Sequence, residues 1–226
     1  MVRSVVFDLD GTLIDSAPDI HAAVNRVLVE RDLPEIDLPT LKSFVGNGAM
    51  VLMERCIRHR DGNASPAELQ QALQRFLEVY ADEPAGRTVL YSGVRDGIRQ
   101  LAAHGYRLGI CTNKPESLTH TILRNLDLAD AFDVIIGGDT LPTRKPHPSG
   151  LLQAIETLGS TPGKAVFVGD SEVDAATAAS AGIRFALFTC GYRRGPVEDM
   201  HFWLARDTFV EITGTIIELD YHQAAL

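Results

Sequence analysis

Apolar residues arrive in two rhythms along this chain. Val5-Val6-Phe7 is a short uncharged run of β-branched and aromatic residues, the pattern of a strand buried on both faces. From about Ser16 to Asp82 the rhythm is helical. Ile20, Val24, Val27 and Leu28 recur at three- and four-residue spacing, with Asp15 or Ser16 as a cap and Pro18 in the first turn. Leu41, Phe44 and Val45 mark a second helical segment from Thr40, and Ala49 to Arg58 a third, with Gly46-Asn47-Gly48 between them. Ser65-Pro66-Ala67-Glu68 is a helix start in capping-box form, followed by a stripe of Leu69, Ala72, Leu73, Phe76, Leu77 and Tyr80.

Beyond Val89 the rhythm changes again. Helical stretches at Val94–His104, Glu116–Asn125, Ser149–Leu158 and Asp174–Ala181 each lead to or follow a short apolar run. Those runs are Leu108–Thr112, Val134–Ile136, Ala165–Val168 and Phe185–Phe188. Strand–helix alternation of this kind predicts βαβ units and a parallel sheet. The first strand belongs to that sheet but precedes the helical block. The predicted architecture is therefore α/β: a Rossmann-like doubly wound core from residues 1–15 and 85–226, with an all-helical cap inserted over 16–84. The Asp15–Ala17 region and Asp82-Glu83-Pro84-Ala85-Gly86-Arg87 are its expected hinges.

In an open parallel sheet, ligands bind beyond the carboxyl ends of the strands. Each predicted strand end here delivers polar groups. The first carries Asp8 and Asp10, which extended backbone points the same way, with Gly11 free to turn where a Cβ would crowd. The second ends in Thr112-Asn113-Lys114, the third leads to Arg144-Lys145-Pro146-His147-Pro148, and the fourth ends in Gly169-Asp170-Ser171-Glu172-Val173-Asp174. Paired carboxylates beside a buried strand repel unless a cation joins them, and hard oxygen donors suit a divalent ion. Taken singly, Asp174 is well placed to cap a helix, Thr112 to satisfy a loop amide and Lys145 to sit in solvent. Together, four acids, a hydroxyl and a lysine on one rim point to chemistry. His147 reads as structural, and Arg193-Arg194 as a solvated loop.

Composition narrows the picture. The chain has 226 residues, 45% apolar and 23% charged, as expected of a globular protein with a sizeable core. A net charge of −9 argues against nucleic acid or an anionic membrane as partner, while a local cation still permits a small anionic substrate. Cys56, Cys111 and Cys190 are scattered without metal-ligand spacing, which fits reduced thiols and a cytoplasmic protein. Met1-Val2-Arg3 leads directly into the first strand, and no apolar run is long enough for a membrane span.

Asp8-Leu9-Asp10-Gly11-Thr12, the strand ending in Thr112, Lys145, and Gly169-Asp170 with Asp174 resemble, in order, the four motifs of the haloacid dehalogenase-like phosphohydrolases. The resemblance spans the chain, with the helical insertion as the family's small cap. Val45-Gly46-Asn47-Gly48-Ala49, Thr112-Asn113-Lys114-Pro115, Ile136-Gly137-Gly138-Asp139 and Lys145-Pro146-His147-Pro148 are similar to the phosphoglycolate phosphatase branch. The resemblance implies Mg²⁺ held by Asp8, Asp170 and the Asp10 backbone, with Asp174 at the metal or behind it. It further implies Asp8 as nucleophile, Asp10 as general acid and base, and Lys145 and Thr112 as the phosphoryl grip. Substrate binding would add Asn113 and the Gly46-Asn47-Gly48 loop, whose spacing alone reads as an inter-helix turn. The implied substrate is a small anionic phosphate ester, foremost 2-phosphoglycolate, for a monomer or homodimer. Sugar-phosphate phosphatase, pyrophosphatase, hexose-phosphate mutase and a non-catalytic phospholigand-binding protein remain open alternatives.

Overall fold

The structure, a computed structural model, describes residues 4–61, 64–82 and 84–224. Met1-Val2-Arg3 and Glu83 of the expected hinge lie outside the described residues. Strand β1 (Ser4–Phe7) sits at the centre of a six-stranded parallel sheet. β4 (Arg107–Cys111) and β6 (Ala165–Gly169) flank it, with Phe7 opposite Ile110 and Val168. β5 (Val134–Ile136) lies outside β4, and β7 (Arg184–Phe188) then β8 (Leu204–Arg206) outside β6. The order β5-β4-β1-β6-β7-β8 reverses direction between β1 and β6. That switch point opens a crevice at the strand ends.

Alternation along β1 splits the core. Val5 and Phe7 face helices α5 (Val94–Ala103), α6 (Glu116–Asn125) and α9 (Phe209–Ala224), packing with Leu101, Ile122 and Ile212. Val6 faces α7 (Ser149–Thr157) and α8 (Glu172–Ala181), joining Leu151, Ile155 and Ala178. Phe7 stacks on Phe209 at 6.0 Å and meets Phe132 edge-on at 6.2 Å, so the strand before the two aspartates is held on a ring cluster.

The helical block comprises α1 (Ala17–Val29), α2 (Leu38–Phe44), α3 (Ala49–Asp61) and α4 (Pro66–Asp82). Ile20, Val24, Leu28, Leu41, Met53 and Phe76 are buried in one cluster that continues into the Val5–Phe7 side of the core. Asp37 caps α2 by accepting from the Thr40 N–H at 2.7 Å. The capping box at α4 is formed: Ser65 donates to Glu68 Oε2 from backbone (2.8 Å) and hydroxyl (2.7 Å), and the Glu68 N–H returns to Ser65 Oγ at 3.3 Å. Ser16 stands at the N-cap of α1, but its hydroxyl does not cap the helix; it donates to Asp10 Oδ1 at 2.5 Å.

Three features differ from the sequence reading. β2 (Ile14–Asp15) and β3 (Val89–Leu90) pair antiparallel where no strand was expected, stitching the entry of the helical block to its exit. α8 starts at Glu172 rather than Asp174, because Ser171 is the N-cap and Asp174 the third helical residue of a second capping box. β8 and α9 close the sheet edge in a stretch for which no element was assigned. No described helix is long and apolar enough to cross a membrane.

Candidate active site

Backbone geometry places the acids. The Asp8 N–H bonds the Val168 carbonyl at 2.8 Å, carrying the β1–β6 ladder one residue past the strand and setting Asp8 in the crevice. Gly11 adopts φ +88°, and a Cβ there would stand 2.5 Å from Asp170 Oδ2. A Cβ on Gly191 would overlap Asp170 and the Gly11 carbonyl. Two glycines therefore let two loops close around one carboxylate.

Asp8, Asp170 and Asp174 each place an oxygen within 4.8 Å of the others, all three buried. Lys145, 5% exposed, joins them: its Nζ lies 2.8 Å from Asp8 Oδ1 and 2.6 Å from Asp174 Oδ1. Burial alone would lower the Lys145 ammonium, but Asp174 and Asp8 hold it above its ordinary value. Lys145 is thus a fixed cation, not a solvated lysine. Asp174 does cap its helix through Oδ2, which accepts from the Ser171 N–H (3.1 Å) and hydroxyl (2.7 Å), while Oδ1 orients Lys145.

The three carboxylates exceed the single ammonium by two charges. The imbalance shows in proton affinity. Burial raises Asp8 to about 6 against the pull of Lys145. Burial, with Asp174 and Asp8 nearby, raises Asp170 well above the carboxylate range. Both Asp170 oxygens are held, by the Thr12 hydroxyl at 2.7 Å and the Tyr192 N–H at 2.6 Å. An all-oxygen donor set two charges short of neutrality suits a hard divalent cation.

Asp10 stands apart from this cluster. Lys114 Nζ lies 2.9 and 3.1 Å from its two oxygens, and Ser16 donates to Oδ1. Thr112 is buried at the end of β4, its Oγ1 accepting from the Lys114 N–H at 3.2 Å. Thr112 thus satisfies a loop amide, and accepting it leaves the hydroxyl proton for another partner. Asn113 donates to the Gly46 carbonyl (2.9 Å) and the Lys145 carbonyl (3.0 Å), tying the helical block to the core.

One pocket lies between these groups and the helices. Asp8, Asp10, Thr112, Asn113 and Lys114 form its floor, with Gly46 and Gly48 on its rim. Its other wall is apolar: Ile20, Val45, Leu52, Phe76 and Tyr80. Asn47, between the two rim glycines, turns its amide oxygen to the Arg194 guanidinium at 3.3 Å. Arg194 itself is exposed, as expected of a solvated loop, while neighbouring groups of the loop are engaged. Tyr192 is buried and holds Asp170, its hydroxyl donates to Asp15 at 2.6 Å, and the Arg194 and Gly195 amides bond Glu172. Lys114, Thr12 and Tyr192 are site residues the sequence reading did not single out. Lys114 had a signal, since it lies two residues after Thr112 at a strand end; Tyr192 had none, because its hold on Asp170 runs through its backbone.

The fold and this cluster together define an α/β protein with a buried acid cluster and a paired lysine at the strand ends of its sheet. The model of the haloacid dehalogenase-like hydrolases matches residues 5–188. A phosphoglycolate phosphatase of Cereibacter sphaeroides (strain ATCC 17029 / ATH 2.4.9) is 50% identical over 197 residues, covering 87% of this chain and 89% of its own. A crystal structure described as a predicted phosphoglycolate phosphatase from Haemophilus somnus 129PT superposes with a TM-score of 0.90 at 30% identity, covering 95% of this chain and 98% of that one. CbbY from Rhodobacter sphaeroides, solved in complex with phosphate, gives 0.77 at 25% identity over 94% and 96% of the two chains. The chain belongs to the haloacid dehalogenase-like hydrolase family. Within it, the relatives place this enzyme among the phosphoric monoester hydrolases.

Proposed function

We propose that this enzyme hydrolyses 2-phosphoglycolate to glycolate and phosphate through a covalent phosphate ester of Asp8, with Mg²⁺ as cofactor. The observation that carries the chemistry is the Asp8 carboxylate, buried at the strand end with Lys145 2.8 Å away and Asp170 and Asp174 beside it. The substrate rests on the name carried by relatives 45–50% identical over most of the chain.

An Asp8 oxygen attacks phosphorus in line, and the bond from phosphorus to the ester oxygen breaks. Asp10 passes a proton to the departing alkoxide, then takes one from the water that attacks the phosphorylated Asp8. That second attack releases phosphate and restores the Asp8 carboxylate. Lys145 and the Thr112 hydroxyl hold phosphoryl oxygens, and Asp174 keeps Lys145 in place. Asp8, Asp170 and the Asp10 carbonyl would hold the cation, which when bound would supply positive charge to offset repulsion between the acids and an anionic substrate. Residues 16–84 act as a cap that excludes water, with the Gly46-Asn47-Gly48 loop at its edge.

The test is phosphate release from a panel of 2-phosphoglycolate, glucose 1-phosphate and pyrophosphate, with Mg²⁺ and with a chelator. We expect Mg²⁺-dependent turnover fastest on 2-phosphoglycolate. A preference for either other ester removes the substrate assignment but leaves the chemistry. Turnover unaffected by chelation removes the metal.

A further inference from the structure

The pocket between core and helices holds a hydroxyl whose proton has no acceptor among the described residues. Tyr80 on α4 is 2% exposed and lines the pocket beside Asp10. Its hydroxyl oxygen is buried and finds no partner in hydrogen-bond geometry among the described residues, although the Lys114 ammonium stands near enough to interact with it. A buried hydroxyl without a partner costs about 1–3 kcal/mol, so its retention calls for a ligand. Burial raises this phenol to about 12, so it stands as a proton donor.

Lys114 converges on the same place. Its Nζ lies 4.7 Å from the centre of the Tyr80 ring and pairs with both Asp10 oxygens. An ammonium has three protons, and Asp10 occupies at most two of them. Lys114 is buried, and the Asp10 carboxylate pairs with its ammonium at 2.9 Å. The third ammonium proton, which faces Tyr80, and a phenol proton without an acceptor thus sit together beside the acid assigned to the leaving group. Around them the wall is apolar: Ile20, Leu52, Phe76 and Leu118.

From this geometry we infer that Lys114 and the Tyr80 hydroxyl form a receptor for a carboxylate on the leaving group, making them the residues that select short phosphoryloxy acids. The inference rests on the proposed 2-phosphoglycolate reading and names the groups that enforce it. Two convergent donors suit an anionic carboxylate. A polyol leaving group would instead bury its hydroxyls against the apolar wall with no acceptors. Stacking of Tyr80 on Phe76, with ring centres 5.6 Å apart, fixes the phenol's direction from within the cap. Selection therefore requires α4 to sit over the core, which couples recognition of the acid to the seated cap.

The experiment compares 2-phosphoglycolate with ethyl phosphate, which replaces the carboxylate by a methyl group. For wild type and Tyr80→Phe, kcat/KM is measured on both esters, and glycolate inhibition is measured with each enzyme. A hydrogen bond to a charged group is worth about 1.5–3 kcal/mol, so its loss is about ten- to a hundredfold. The ratio of the two kcat/KM values should fall about tenfold or more in Tyr80→Phe, and the glycolate inhibition constant should rise by a similar factor. Lys114→Met should lower the ratio further. A wild type that prefers 2-phosphoglycolate while Tyr80→Phe keeps the same ratio and the same glycolate inhibition overturns this assignment alone. A wild type that treats both esters alike overturns the substrate reading, and the receptor with it.

Discussion

At the scale of residues, the site is a problem in charge. Lys145 compensates one of three clustered carboxylates, and removing it leaves Asp8 and Asp174 facing each other in the interior. Breaking one partner of a buried pair costs about 3–5 kcal/mol, so Lys145→Met should lower metal-free stability by that order in urea unfolding. An unchanged midpoint would mean that the two acids are not held as this arrangement requires. The raised Asp8 gives a second expectation. Between the ordinary value of 3.8 and about 6, the folded protein holds a proton that the unfolded chain has released. Stability contributed by that proton is therefore lost as pH rises through this window. In the presence of a chelator, wild type should lose stability relative to Asp8→Asn as pH rises across it, and Mg²⁺ affinity should rise over the same interval as the proton is displaced. The thiols form a contrast. Burial pushes Cys56 and Cys111 up to about 12, whereas Cys190 is exposed. One thiol should react quickly with a disulfide reagent in the native protein, and Cys190→Ser should abolish that fast phase.

At the scale of elements, local signals and tertiary contacts divide the legibility of the chain. β1, its two aspartates and Gly11 were readable because a buried strand leaves a continuous apolar run and the turn requires a glycine. The start of α4 was readable because Ser65 and Glu68 satisfy each other locally. β2 and β3 were not, since two residues each carry no periodicity and exist only through their pairing. β8 offers a single buried residue among three. α9 did carry a usable signal in Phe209, Ile212 and Ile216, all fully buried and spaced along one face. Within the site, side chains at strand ends were legible; Tyr192, which acts through its amide, and Tyr80, which reads as one more apolar position of an amphipathic stripe, were not. The exit of the helical block depends on another residue of this kind. Asp19 on α1 is 6% exposed and accepts from the Arg87 and Thr88 amides and the Thr88 hydroxyl. Asp19→Ala strands those donors, and the loss should be at least about 3 kcal/mol in urea unfolding. A loss below about 1 kcal/mol would mean that water replaces the carboxylate there.

At the scale of the molecule, a chain of net charge −9 gathers its reactive acids at the switch point of the sheet and covers them with helices inserted directly after the first strand. The core supplies Asp8, Asp10, Thr112, Lys145, Asp170 and Asp174; the helices supply the apolar wall and Tyr80. On the proposed mechanism, reaction type and substrate choice would reside in different parts of the chain, with Asn113 and Lys114 at the boundary between them. The proposed mechanism requires that Asp8 become covalently phosphorylated. It is tested most directly by quenching the enzyme during turnover of 2-phosphoglycolate with Mg²⁺, reducing acyl phosphates with borohydride and mapping the product by mass spectrometry. Residue 8 should be converted to homoserine in wild type and not in Asp8→Asn, which should also lack turnover. Rapid turnover with residue 8 unmodified, or an Asp8→Asn variant that hydrolyses the ester at the wild-type rate, would contradict it.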